Sequence, residues 1–112
     1  MKRPTKKVTY YESGQIWSEY WYIDGKRHRT DGPAVVWYYE SSGQVESEYW
    51  WVDGKWHRTD GPARIYYYES SGQVKSEHWL VNDKWYSKEE WDQHPKVMDH
   101  KFDLMIDEEL SR

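Results

Sequence analysis

The sequence contains one unit that recurs at an interval of 29 residues, and this periodicity constrains the fold more than any other feature. The segment from Gln44 to Ala63 is matched by residues 15–34, and its first part is matched by residues 73–86. The linking turns recur as residues 10–14, 38–43 and 67–72, the first being one serine shorter. Such a chain is expected to stack similar units, each of which packs against its neighbours.

Within one unit the pattern predicts strands separated by turns. A long strand is expected from Gln44 to Val52, a short one at 55–57 and a third at 63–68. Asp53-Gly54 is typical of a tight hairpin turn, because this pair tolerates the positive φ that such turns require. We therefore predict a mainly β fold, in which tandem antiparallel hairpins of period 29 form an elongated twisted sheet.

The last unit departs from the repeat and predicts a helical end. Ser87 with Glu90 forms a capping box, Pro95 breaks or restarts the helix, and a second helix is expected near Lys96–Leu110. Its apolar stripe consists of Met98, Phe102, Met105 or Ile106, and Leu110. We predict a single domain over 1–112, with β-hairpin repeats at 8–86 and a helical cap at 87–112. A partner-binding helix is the alternative to a cap.

Composition and charge exclude several classes of protein. Without cysteine there are no disulfides, no Cys-ligated zinc and no thiol nucleophile. With neither a signal-like apolar run nor a stretch of about 20 apolar residues, we expect a cytoplasmic chain without a membrane span. Residues 1–7 carry four basic side chains, but the net charge of −4 argues against nucleic acid as a partner.

The 9 Trp and 11 Tyr suit a thin sheet in which most positions are half exposed. On the long strands, one parity hardly varies between units, and we expect it to form the shared core: Trp21, Ile23, Trp50, Val52, Trp79 and Val81. The long strands carry a variable parity that includes Leu80, the return strands carry one that includes Val35, and both are expected to meet solvent. If the two parities share a face, they form one exposed aromatic strip. Its aromatic members are the candidate binding residues, namely Tyr20, Tyr22, Tyr49, Trp51, Trp37, Tyr39, Tyr66 and Tyr68. The alternative is a cross-strand ladder that only stabilises the sheet.

Two sets of polar residues recur. His28, Arg29 and Asp31 return as His57, Arg58 and Asp60. We interpret this motif as structural, with Asp capping the loop while Arg and His pair with acids across units; a metal or acid–base site is the alternative. The repeated carboxylates Glu19, Glu48 and Glu77 are interpreted as a solvated face rather than a glycosidase pair. We predict no catalytic residue, no metal and no cofactor.

Gly25-Lys26-Arg27-His28 and Gly54-Lys55-Trp56-His57, each preceded by Tyr-Trp on a strand, resemble the MORN repeat. The continuation His-Arg-x-Asp-Gly-Pro-Ala resembles a longer variant seen in uncharacterised proteins of phages and giant viruses. Arg29 and Arg58 depart from the standard repeat, which has Gly there. The resemblance covers about residues 8–91 and implies successive antiparallel hairpins with scaffold or interaction roles, sometimes self-association or lipid contact.

Together these features lead to two hypotheses of function. The first is a non-enzymatic module that binds a protein partner, or another copy of itself, through an aromatic sheet face. The second is a protein that binds or sequesters a small ligand, a nucleotide or a glycan stacked on Trp and Tyr. For the second hypothesis, the resemblance implies a phage factor that acts on a host pathway.

Overall fold

The computed structural model describes residues 2–110 and is mainly β. The strands are β1 (Thr5–Tyr10), β2 (Ile16–Ile23), β3 (Lys26–Arg27), β4 (Val35–Tyr38), β5 (Val45–Tyr49), β6 (Trp51–Val52), β7 (Lys55–Trp56), β8 (Arg64–Tyr67), β9 (Val74–Val81) and β10 (Lys84–Tyr86). Two helices follow, α1 (Lys88–Asp92) and α2 (Pro95–Leu110).

One large antiparallel sheet organises the described chain. Its strands follow the order β1-β2-β4-β5-β8-β9-β10, with β3 paired to β2, while β6 and β7 form a small second sheet. Hairpins join neighbours in sequence, and β2–β4 and β5–β8 are also antiparallel pairs. The predicted mainly β class, with antiparallel hairpins and a C-terminal helix, is confirmed.

The tight turns have the predicted backbone. Asp24 and Gly25 have φ values of 51° and 76°, and Asp53 and Gly54 have 52° and 76°. In the last hairpin the pair 82–83 also lies at positive φ, although neither residue is glycine. The left-handed conformation predicted for the Asp-Gly pairs is therefore confirmed, and its cost is low because Asp and Gly tolerate it.

Residues that face each other across an antiparallel pair project to the same side of the sheet, so the register defines two faces. The first, here called the glutamate face, carries a row that alternates aliphatic residues with glutamates: Val8, Glu19, Val36, Glu48, Ile65 and Glu77. The second, here called the aromatic face, carries the row Lys7, Tyr20, Val35, Tyr49, Arg64 and His78.

Burial follows the predicted division into a core face and a solvent face only in part, since Val81, a predicted core residue, is 1% exposed. Trp21, Trp50 and Trp79 are half-buried rather than buried. Val35 and Leu80, from the set expected to meet solvent, are only 2% and 1% exposed. Val35 stands between Tyr20 and Tyr49, and Leu80 stands opposite Trp85, so larger rings flank both side chains. Within residues 2–110, a second layer covers the sheet only where the cap packs against Trp79.

The predicted capping box is present, because Ser87 and Glu90 each accept a hydrogen bond from the other's backbone amide. Behind it, Trp91 and Val97 form a buried cluster with Val81, against which Trp79 and Tyr86 pack. Beyond that cluster, α2 is largely exposed. The cap is therefore made by α1 and the first turn of α2. Residues 111–112 of the predicted cap lie outside the described residues.

No helix within residues 2–110 has both the length and the apolar character that a membrane span requires.

Candidate binding face

The aromatic face carries a row of rings in contact across the strands. The two sets of variable residues meet on it, since Tyr49 stands opposite Arg64 and Ser47 opposite Tyr66. Ring centroids in this row lie 4.4 to 6.1 Å apart, for the pairs Trp51–Trp56, Tyr49–Trp56, Tyr49–Tyr66, Tyr66–His78 and His78–Trp85. These separations are typical of attractive edge and offset ring pairs, so the row is partly preorganised.

Basic side chains lie over the same rings. The Nζ atom of Lys7 is 5.9 Å from the ring centroid of Tyr20, and the guanidinium of Arg27 is 5.4 Å from that of Trp51. The Arg64 guanidinium lies 4.9 Å from the ring of Tyr66. Since cations and aromatic faces attract each other, these residues give the aromatic face a positive character.

A groove of about 530 Å³ opens on the aromatic face near the N-terminal end of the sheet. We call it the basic groove. It is lined by Lys7, Tyr20, Tyr22, Gly25, Lys26, Arg27, Trp51 and Gly54. The lining combines three rings with three cations and contains no carboxylate, so it suits an occupant with apolar surface and negative charge.

The structure divides the predicted binding residues into groups. Tyr20, Tyr22 and Trp51 line the basic groove, and Tyr49 and Tyr66 belong to the ring row. The ring centroids of Trp37 and Trp17 lie 5.7 Å apart, and Tyr68, the residue after β8, is 49% exposed. Tyr39 instead donates a hydrogen bond to the carbonyl of Tyr67, as Tyr11 does to that of Tyr38, so its role in the structure is to join successive hairpins.

The basic residues of the groove and two tryptophans, Trp56 and Trp85, were not among the predicted binding residues. Trp56 stands opposite Trp51, and Trp85 opposite Leu80, across the two-residue turns. The sequence contains the signal that places them. Two residues that stand opposite each other across a two-residue turn lie on the same face of the sheet, so Trp56 belongs with Trp51 and Trp85 with Leu80.

The Arg residues of the repeated motif cover the tryptophans of the glutamate face. The Arg58 guanidinium lies 3.7 Å from the ring centroid of Trp50 and donates to Asp60 at 2.7 Å and to the carbonyl of Pro62 at 3.1 Å. Arg29 makes the same contacts with Trp21, Asp31 and Pro33. The predicted ion pairs of Arg across units are therefore wrong, since each Arg pairs within its own loop.

The histidines of the motif hold the next turn along the sheet. His28 Nδ1 accepts a hydrogen bond from the amide of Asp53 at 3.0 Å, and His57 Nδ1 accepts from that of Asn82 at 3.2 Å. A nitrogen that accepts carries no proton, so the contact at His57 requires its neutral form. His28 Nδ1 also lies 3.2 Å from the carboxylate of Asp53, which is the predicted pairing of a motif histidine with an acid of the next unit. Burial lowers the pKa of His57, and Lys96 and His94 lower it further. No group of three or more His, Asp or Glu that could hold a metal occurs among residues 2–110.

Of the three repeated carboxylates, only Glu77 is exposed to solvent as the sequence predicted, whereas Glu19 and Glu48 are half-buried. Tyr38 donates to Glu19 and Tyr67 donates to Glu48, both across neighbouring strands, and Lys6 lies 2.6 Å from Glu19. Burial raises the pKa of Tyr38 to about 12, and the hydrogen bond to Glu19 contributes to this rise. Glu19 and Glu48 therefore have a structural role as hydrogen-bond acceptors.

Comparison of the chain with protein-family models, with curated proteins and with solved structures gave no match in any of the three.

Proposed function

We propose that this chain is a non-enzymatic, MORN-like repeat module that binds another protein through its aromatic face. The observation that carries the proposal is the row of half-exposed rings with cations above them. The helices leave this row uncovered, because α1 and the first turn of α2 pack against Trp79, Val81 and Tyr86 on the opposite face.

The strand registers support a repeat of 29 residues. Ser18 stands opposite Trp37, and Ser47 stands opposite Tyr66, which is the same pairing one unit further on. Register shifts also recur at equivalent places, between 9 and 10, between 37 and 38 and between 66 and 67. These equivalences are those expected for stacked hairpins that form an elongated array.

A protein partner fits the chemistry of the aromatic face. Trp and Tyr act as anchors in protein interfaces, because they bury a large area while losing little conformational entropy. The three cations of the basic groove favour a partner segment that combines apolar and acidic side chains. Polar residues of the repeat, such as His57 and Glu48, make hydrogen bonds between neighbouring strands and turns, which supports a structural role for them.

Site-specific photo-crosslinking tests the proposal. A photoreactive phenylalanine analogue replaces either Trp85, 59% exposed on the aromatic face, or Tyr10, 60% exposed and of the glutamate-face parity. We expect a saturable adduct with one protein from position 85 and none from position 10. Excess wild-type chain should compete, whereas the Trp51→Ala chain should compete about 30-fold less well, as for the loss of a central anchor. Equal adducts from both positions would refute the use of this face.

A second candidate function is the binding of a small anionic ligand with a planar ring. The basic groove has a volume typical of ligand sites, and Lys26 and Arg27 could hold a phosphate while Trp51 stacks a base. The test is a titration with adenosine monophosphate, followed by tryptophan fluorescence, with maltotriose as the uncharged glycan control. A saturable change that Arg27→Glu abolishes supports this candidate; no response from either compound argues against it.

A further inference from the structure

Resting on the function proposed above, we infer that the partner is a second copy of this chain, whose helix α2 lies across the aromatic face with its acidic side against the basic groove. The inference comes from four properties of the described residues: an uncovered apolar stripe, an acidic row beside it, a complementary groove and a helix long enough to cross more than half of the sheet.

The apolar stripe of α2 is largely exposed among residues 2–110. Met98, Phe102 and Met105 are 51%, 60% and 63% exposed, and Ile106 is 41% exposed. These residues fall on one side of the helix, because side chains three or four positions apart lie one above the other. An amphipathic helix with an exposed stripe of this kind is typical of helices that bind in a groove of another molecule.

The charge of the helix complements the groove. Asp99, Asp103 and Asp107 recur every four residues and form an acidic row along α2. Within residues 99–110 the one basic residue besides His100 is Lys101, which pairs with Asp92 of its own chain at 2.9 Å. The helix therefore presents apolar side chains flanked by negative charge, and these are the two properties that the groove suits.

The cations of the groove are available to an external carboxylate. Lys7 and Arg27 lie over aromatic rings, and among residues 2–110 neither they nor Lys26 form a salt bridge. Other basic residues at this end of the chain differ, since Lys2 pairs with Asp24 and Lys6 with Glu19. Ion pairs formed by the groove would thus be gained on association, without breaking existing pairs.

The free part of the helix is long enough to cross more than half of the sheet. Beyond its first turn, residues 99–110 of α2 span about 18 Å at a rise of 1.5 Å per residue. The seven strands in the main path of the sheet span about 29 Å across, at roughly 4.8 Å per spacing. A helix laid across the strands therefore reaches over more than half of the aromatic face, with room for its apolar stripe on the ring row.

The helix cannot reach the aromatic face of its own chain. Val97, in its first turn, is buried against Val81 and Trp91, and Trp79 and Tyr86 pack on the same cluster. These residues fix the start of α2 on the glutamate face, and the intact sheet separates it from the basic groove. Docking of α2 into the groove thus requires a second molecule.

Charge reversal on each surface tests the inference in the full-length chain. One variant carries Asp99→Lys, Asp103→Lys and Asp107→Lys, and the other carries Lys7→Glu, Lys26→Glu and Arg27→Glu. The control carries Lys55→Glu and Lys84→Glu, which occupy the positions equivalent to Lys26 in the other two hairpin turns. Sedimentation velocity at low and high salt measures association up to about 100 µM, where a Kd of ~10 µM is largely saturated.

We expect the wild-type chain and the control to associate alike, and more weakly at high salt, because screening weakens charge pairs. Each reversed variant should associate at least about 10-fold more weakly. Mixing the two should restore a complex, since one variant then supplies a basic helix and the other an acidic groove. Restoration also shows that both variants are folded.

A wild-type chain that stays monomeric, or a control that weakens as much as the variants, overturns the self-docking. So does a mixture of the two variants that forms no complex. In those cases, an adduct between position 85 and a different protein leaves the proposed interaction function intact. Absence of both the self-association and the adduct overturns the two proposals together.

Discussion

The guanidinium of Arg58 is held between the ring of Trp50 and the backbone of Gly61. It lies 3.7 Å from the ring centroid, and a Cβ added at Gly61 would come within 2.6 Å of its Cζ atom. Arg29 and Gly32 repeat the arrangement, with a separation of 2.8 Å. The glycine that follows Asp in this loop is therefore explained by the space that the arginine needs, rather than by its own backbone conformation.

This arrangement predicts that the effects of Gly61 and Arg58 are coupled. Gly61→Ala should destabilise the fold by about 1 kcal/mol or more, because the added methyl displaces a guanidinium that Trp50 and Asp60 hold in place. In an Arg58→Ala background the same change should cost less than about 0.5 kcal/mol. Urea unfolding of the four chains measures the coupling. Equal penalties in both backgrounds would show that the contact carries no energy.

The hairpin turns predict a cost for any β-branched residue at the second turn position. Gly54→Val should lower the free energy of unfolding by more than ~1 kcal/mol, because its φ of 76° is strained for valine. Gly25→Val tests backbone strain alone, since no heavy atom lies within 4 Å of a Cβ there. Asn at either position should cost less than Val. Thermal melts that rank Val and Asn equally would contradict the turn assignment.

The Tyr38–Glu19 hydrogen bond predicts a destabilisation that depends on pH. Tyr38→Phe should cost about 1–2 kcal/mol at pH 7, because it leaves a half-buried carboxylate short of a donor. Burial raises the pKa of Glu19, but hydrogen bonds from Lys6 and Tyr38 outweigh this and hold it below its ordinary value. The stabilisation by these hydrogen bonds is fully present above the ordinary glutamate pKa. It is lost as the pH falls through the lower pKa that Glu19 has in the folded protein.

The difference between wild type and Tyr38→Phe should therefore shrink in acid, below about pH 4. Tyr10→Phe is the control, because Tyr10 is 60% exposed and should change stability by less than ~0.5 kcal/mol. Urea midpoints measured from pH 7 to pH 3 provide the comparison. A Tyr38→Phe deficit that is constant over this range would contradict the role given to the Glu19 carboxylate.

His57 predicts a loss of stability on mild acidification. Its pKa is lowered by burial and by Lys96 and His94, so the unfolded chain binds the proton more readily than the folded one. Stability should thus be full above the ordinary histidine pKa of about 6.5 and should fall as pH drops below it. His57→Asn retains an acceptor near the Asn82 amide and cannot titrate, so its melting temperature should fall less between pH 7 and pH 5. If the melting temperature of His57→Asn falls as much as that of wild type between pH 7 and pH 5, protonation of His57 is not the cause of the loss.

The cap predicts opposite behaviour for two aromatic residues of the C-terminal segment. Trp91 is 4% exposed, and its Nε1 donates to the carbonyl of Arg58 at 3.0 Å. Trp91→Ala should cost about 3 kcal/mol or more through the cavity that it leaves. Phe102→Ala, at a position 60% exposed, should leave the monomer's stability within ~0.5 kcal/mol of wild type. Calorimetry in dilute solution measures the stability of both variants. A large loss of stability in Phe102→Ala would show that this side chain packs against its own chain.

The sequence by itself determined the local features of this protein. The Asp-Gly turns, the capping box at Ser87 and the restart of the helix at Pro95 all follow from short-range rules of φ and hydrogen bonding. Alternation along each strand also separated constant from variable residues, because the side-chain period of a strand is two. That the two variable sets share a face followed only from the strand register. Apart from the mainly β class, the predictions that the structure confirms are those that depend on a few neighbouring residues.

Only the tertiary structure decided what covers each side chain. Arg58 stacks on Trp50, and Tyr67 donates to Glu48; in each pair the partners lie on different strands or loops. The basic groove likewise joins Lys7 of β1 with Arg27 of β3 and Trp51 of β6. A periodic sequence shows which residues are equivalent, but their contacts depend on strand register and side-chain length. In a sheet with a second layer only at the cap, those contacts determine which aromatic rings are covered and which remain open to a partner.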